Sequence, residues 1–164
     1  MAELAQLTSR FAQDGVLRWI GVRPARRADM VVVDQALLAD DGLAGDHRST
    51  PGKRAVSLMQ WEHLPVIAAL LAQEKIDQSD LRRNLLISGI NLLGLRKRRF
   101  RIGEAVLQGT GLCAPCSRME EALGNGGYSA MRGHGGITAE VLRSGSISLG
   151  DCVTPLGDDV PIFA

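Results

Sequence analysis

Aromatic side chains are scarce. Phe, Trp and Tyr together make up 4% of the chain, too few for the stacking platform on which single-stranded nucleic acid is held. Long apolar runs are missing as well: no window approaches the roughly 18 apolar residues of a membrane helix. The opening segment, MAELAQLTSRFAQDG, mixes acids with apolar residues and lacks the apolar core of a signal peptide. A net charge of +1 gives no global pull towards nucleic acid or membrane. Cysteine is sparse and odd in number, at three, which argues against a secreted disulfide scaffold. The expected setting is therefore reducing and cytoplasmic, with the cysteines as free thiols, metal ligands or redox groups. With 45% hydrophobic and 23% charged residues over 164 positions, the composition is that of a globular chain. Its length supports a core without staples and points to a single domain over 1–164.

Leu4, Leu7 and Phe11 recur at helical spacing and predict a short helix ending near Asp14-Gly15. Strands are expected over Val16–Val22 and Met30–Leu38. Residues 41–53, rich in glycine and charge, form a long loop. A short strand over Ala55–Leu58 precedes a helix through Trp61, Leu64, Ile67 and Leu71, with Pro65 in its first turn. Asp80–Asn84 reads as a helical turn leading into Leu85–Ile87. Phe100–Gly103 alternates, and Glu104–Gln108 continues it as a strand. Ile137–Leu142 and Ser146–Leu149 flank Arg143-Ser144-Gly145 as a hairpin. Many short strands without a regular βαβ rhythm predict a mainly β (α+β) domain, a β-barrel with several short helices. No βαβ unit is evident ahead of the cysteines.

The stretch richest in chemistry is Gly109-Thr110-Gly111-Leu112-Cys113-Ala114-Pro115-Cys116-Ser117-Arg118-Met119-Glu120, between a strand and a helix. Ser117 with Glu120 suggests a capping box, with Met119 and Leu123 on the buried face. Cys116 would then sit just ahead of a helix N-terminus, which favours the sulfur anion needed by a nucleophile or a soft-metal ligand. Cys113 and Cys152 read equally well as small buried apolar residues. Two other uses stay open. Cys113 and Cys116 form a CxPC spacing suited to a dithiol redox pair, although hairpin strands follow it rather than a thioredoxin-like end. Cys113, Cys116, His134 and Cys152 could also hold zinc.

Five pieces in order resemble the MOSC family, the C-terminal domain of molybdenum-cofactor sulfurases. They are Gly45-Asp46-His47, Leu81-Arg82-Arg83-Asn84-Leu85, Phe100-Arg101-Ile102-Gly103-Glu104, Pro115-Cys116, and Gly136-Ile137 through Val141-Leu142 to Gly150-Asp151. Together they span about 18–155. The resemblance implies a barrel-like fold and a cysteine, at the position of Cys116, that carries sulfur as a persulfide or ligates the molybdenum of the molybdenum cofactor (molybdopterin). In cofactor-dependent members the reaction is reduction of N-hydroxylated compounds. Family members often carry a further barrel or a pyridoxal-phosphate domain, and neither is evident in these residues. A separate sulfur donor of the cysteine desulfurase type, or an electron donor, is the implied partner, together with a small-molecule substrate.

Other residues suit such a site. Arg83 can grip a phosphate as a fork, and Asn84 can both donate and accept. Asp46 can hold a pterin N–H or cap a turn. His47 and His134 are candidate ligand contacts or plain loop residues, His134 in a glycine setting that allows close approach. His63 reads as structural. The Arg96–Arg99 run is a solvated turn or a patch for an acidic partner. The leading expectation is a molybdenum-cofactor oxidoreductase or sulfur transferase; the rivals are a dithiol oxidoreductase and a cofactor-binding module without turnover.

Overall fold

The computed structural model describes residues 3–162. Its core is a closed barrel of seven strands, with few short helices outside it. The strands are β1 (Gly15–Val22), β5 (Val56–Gln60), β6 (Leu85–Ser88), β7 (Arg99–Ile102), β8 (Ala105–Leu112), β9 (Ile137–Arg143) and β11 (Cys152–Leu156). They pair in the order β11-β7-β8-β9-β5-β6-β1, and β1 returns to β11 through Gly15 opposite Val153, which closes the ring. Strand β2 (Val31–Val33) extends β1 outside the ring. A separate small sheet holds β10 (Gly145–Ser148), β3 (Gln35–Ala39) and β4 (Gly42–Leu43).

Two apolar layers follow from strand alternation. Leu58, Leu85, Ile87, Phe100, Leu107 and Ile137 belong to the barrel core and are fully buried. Met59 and Leu86, their neighbours on the opposite face, belong to an outer layer with Trp19, Ile67, Met119 and Met131. Strands β5 and β6 are thus buried on both faces and read as unbroken apolar runs. The outer layer is completed by α2 (His63–Leu70), α3 (Arg118–Leu123) and α4 (Gly127–Met131). Pro65 occupies the first turn of α2 as expected.

Several sequence expectations are corrected. The N-terminal helix α1 covers Leu4–Thr8 and ends at Ser9, well before Gly15; Leu4 and Leu7 lie exposed, and only Phe11 packs on the core. The expected Met30–Leu38 strand is two strands broken at Asp34, because β2 pairs with β1 while β3 pairs with β10. Gly42–Leu43 pairs with β3 inside the expected loop. Arg99–Ile102 and Ala105–Leu112 form a hairpin turning at Gly103-Glu104 rather than one strand, with Gly103 at φ +53°. The hairpin expected around Arg143-Ser144-Gly145 does not form: β9 pairs with β5 and β8, and β10 pairs with β3. Strands β5 and β6 are parallel and joined through α2, a βαβ crossover ahead of the cysteines.

Candidate functional site

Cys116 lies in the coil between β8 and α3 and is exposed, whereas Cys113 is buried; both thiols are free. The cap expected at this point is built differently. Ser117 has helical angles (φ −57°, ψ −22°) and makes no side-chain cap, so it lacks the extended conformation that capping requires. Glu120 turns the other way: its carboxylate accepts hydrogen bonds from Gly126 N at 2.8 Å and Tyr128 N at 3.0 Å, at the start of α4. These backbone bonds, to Tyr128 first, hold the Glu120 carboxyl below its ordinary value. Helix α3 has only six residues, too short to offer a strong N-terminal field.

The cations that gather near this end of α3 are arginines. Arg27, Arg82 and Arg118 line a pocket of about 290 Å³ beside Glu121. Arg82 ends the 3-10 turn Gln78–Leu81 in the left-handed conformation, at φ +59°, an uncommon state for a side-chain-bearing residue. One nitrogen, Nη1, donates to Ala28 O, but its buried Nη2 has no partner. Burial, with the nearby Arg23 and Arg118 charges, pushes the Arg82 guanidinium below its ordinary value, against Asp29 and Asp46. A crowded cation with a spare donor is suited to an anion.

Arg83 behaves differently. It is 7% exposed, Nε donates to Gly135 O at 2.8 Å and Nη1 to Leu81 O at 3.1 Å, leaving only Nη2 free. It therefore ties the segment before β6 to the segment before β9. Asn84 is spent inside the barrel wall: Oδ1 accepts from Ser57 N and Oγ, and Nδ2 donates to Gly21 O. Asp46 is held by Arg23, whose backbone N (2.7 Å), Nε (3.1 Å) and Nη2 (2.8 Å) all donate to it; its side chain is 1% exposed. Burial alone would raise the Asp46 carboxyl, but the Arg23 hydrogen bonds and charge, with His47, hold it below the usual range. His47 itself is exposed, and its backbone N donates to Arg23 O.

His134 meets His63, with the two Nδ1 atoms 3.1 Å apart and the rings edge-to-face at 88°. The glycines around His134 are needed for close approach. A Cβ on Gly135 would stand 2.1 Å from Cys113 O, and one on Gly136, at φ +87°, 1.9 Å from Leu58 O. This turn floors a cleft of about 420 Å³ that is also lined by His63 and by Cys113, Ala114 and Pro115, but not by Cys116. The segment 113–118 thus runs from the cleft to the arginine pocket, with Cys116 between them.

Among the described residues no group of three or more His, Cys, Asp or Glu is placed to hold a metal, so the zinc site from Cys113, Cys116, His134 and Cys152 is not assembled. Cys152 is on β11, opposite Val16. The arginine pocket was missed because Arg27, Arg82 and Arg118 converge only through the fold; the left-handed Arg82 is its clearest mark. Nothing in a helix signals the partner that His63 finds 71 residues away, in His134.

A model of the MOSC domain family matches residues 27–154, so the chain belongs to the MOSC domain family, which is generally linked to molybdenum-cofactor function. The fold is similar to the YuaD protein from Bacillus subtilis, at 18% identity and TM-score 0.76, covering 88% of this chain and 97% of that one. It is also similar to YiiM from Escherichia coli (20% identity, TM-score 0.69, 90% and 73% covered). YiiM from Geobacillus stearothermophilus is a further match (15% identity, TM-score 0.67, 92% and 79% covered). A search of curated proteins finds no match. Among the described residues no helix is long and apolar enough to cross a membrane.

Proposed function

We propose that this chain is a molybdenum-cofactor protein whose working group is the Cys116 thiol. The observation that carries the reading is an exposed thiol two residues from Arg118, which borders a pocket where Arg82 keeps a buried, unpartnered Nη2. A molybdopterin carries a phosphate and a hydrogen-bonding ring system, and the donors present fit it. Arg27, Arg82 and Arg118 supply cations for the phosphate. The spare Nη2 of Arg83 and the side chains of His47 and His134 are further polar groups for the ring system, and Asp46 with Arg23 fixes the backbone at His47. A thiolate at Cys116 is a soft ligand for molybdenum or, as a persulfide, a sulfur carrier.

When bound, the cofactor supplies two-electron redox chemistry. The chain's own residues hold it, keep the thiol accessible and leave the cleft beside it open to a small molecule. Reduction of an N-hydroxylated compound consumes two electrons and two protons and releases water, so a separate electron donor is required. Sulfur transfer likewise requires a donor of the cysteine desulfurase type. A cytoplasmic setting with reduced thiols suits both. The test is expression with molybdate, followed by molybdenum, pterin and sulfane-sulfur analysis of the purified chain. Molybdenum with pterin, or sulfane sulfur, near one per chain is expected. A protein free of both, after expression in a host competent for cofactor synthesis, overturns the proposal.

A further inference from the structure

We propose that the cleft between the 3-10 turn Leu92–Leu95, the Leu112–Pro115 segment, α4 and the glycine turn binds a small, flat, apolar anion of the aromatic carboxylate class. Cys116 does not line the cleft, so the inference stands whether or not the chain carries molybdenum.

Its volume of about 420 Å³ falls in the range of small-molecule sites, roughly 300–1,000 Å³. Leu92 and Ile137, both buried, form apolar walls. Leu93, Leu112 and Tyr128 remain 48%, 56% and 43% exposed around the same cavity. Large apolar side chains left in water and gathered on one cavity mark a surface that a ligand covers. The flat face of Tyr128 favours a planar occupant.

Charge chooses among apolar ligands. Arg96 and Arg132 line the cleft, both are exposed, and neither has an ion-pair partner among the described residues, where Arg23–Asp46 is the one salt bridge found. Among the described residues no carboxylate lines the cleft. Gln60, a polar group of its lining, is already spent: Nε2 donates to Ile90 O and to Glu62 Oε1, and Oε1 accepts from Leu92 N. The charged side chains lining the cleft are therefore cationic, Glu62 and Glu120 just outside it being tied to Gln60, Gly89, Gly126 and Tyr128. The unspent donors are guanidinium groups, whose planar fork matches a carboxylate. His63 adds a ring nitrogen, Nε2, with no partner among the described residues.

The experiment uses 2-naphthoate and its neutral isostere 2-naphthamide as probes, titrated calorimetrically into the purified chain at low salt. Naphthoate should bind saturably and naphthamide about tenfold more weakly, the loss expected when a charge-assisted hydrogen bond becomes a neutral one. Arg96→Gln and Arg132→Gln should each weaken naphthoate several-fold while leaving naphthamide unchanged and the thermal melt intact. Ala114→Trp, which fills the cleft from its wall, should abolish binding of both probes. Should that variant fail to fold, the two exposed arginine changes still decide. Equal affinity for the two probes, naphthoate binding undiminished in both arginine variants, retention of binding in a folded Ala114→Trp variant, or no saturable heat at millimolar naphthoate overturns the proposal.

Discussion

His63 Nδ1 and His134 Nδ1 stand 3.1 Å apart, joining α2 to the glycine turn that floors the cleft. One of the two nitrogens must lack a proton for this contact to be a hydrogen bond. Burial first, and then the charge of His134, push His63 below its ordinary value, with Glu62 opposing. The unfolded chain therefore takes up a proton that the folded chain resists, and stability is lost as pH falls below about 6.5. Melting temperature should be flat above that pH and decline below it. His63→Gln should flatten the decline between pH 6.5 and 5. An identical slope in the variant would show that the pair does not carry the effect.

The Arg23–Asp46 pair makes a second, lower window. A depressed carboxyl contributes stability above its unfolded value, and that contribution is lost as pH falls below about 3.8 and through the folded value. Asp46→Asn strands the guanidinium of Arg23 and should cost about 3 kcal/mol at neutral pH. Adding Arg23→Gln should recover part of that loss, because the two residues act as one unit. Additive losses in a chemical-denaturation cycle would mean that the contact is incidental.

The two adjacent arginines should separate cleanly. Arg83→Lys exchanges a fork bonded to Gly135 O and Leu81 O for a buried ammonium, and should cost about 2 kcal/mol of stability. Arg118→Gln touches no hydrogen bond among the described residues and should change stability by no more than about 0.5 kcal/mol. It should nevertheless lower the molybdenum and pterin recovered per chain. A large stability loss in Arg118→Gln, or none in Arg83→Lys, would reverse these roles.

The barrel was legible because β1, β6 and β8 show their apolar faces directly in the sequence, whereas partner choice was not. Alternation at Ile137–Leu142 and Ser146–Leu149 specifies which side is buried, and the same pattern serves a hairpin or two separate sheets. Asp34 divides an apolar run that looks continuous, since β2 and β3 serve different sheets. At the site, Cys116 stood out through its neighbours Pro115 and Ser117. Glu120 has the spacing of a capping box with Ser117, and only the backbone angles of Ser117 refuse it. Arg82 and Arg83 are adjacent and chemically identical. Their division of labour depends on a left-handed turn that places one guanidinium beside Arg118 and the other against Gly135.

The two cysteines of the CxPC segment differ in access, and that difference decides how they should respond to substitution. Cys113 is buried, its backbone N donates to Gly136 O at 2.8 Å, and its carbonyl crowds Gly135; its position is that of a structural residue on the cleft wall. Cys116 is exposed, two residues before Arg118 of the arginine pocket. In the cofactor reading, Cys113→Ser should keep bound molybdenum or sulfane sulfur close to the level of the parent chain. Cys116→Ser should lose nearly all of it, because a hydroxyl stays protonated and is a poor soft-metal ligand. Iodoacetamide should label Cys116 at least tenfold faster than Cys113, on the order expected between an open and a buried thiol. It should also outpace Cys152, which is exposed but fixed in β11. In a dithiol enzyme the Cys113–Cys116 bridge would be the working form, and both serine variants would fail alike. Molybdenum and sulfane sulfur per chain in the two variants separate these outcomes: equal loss in both returns the segment to dithiol chemistry, and loss confined to Cys116→Ser makes that thiol the one that works.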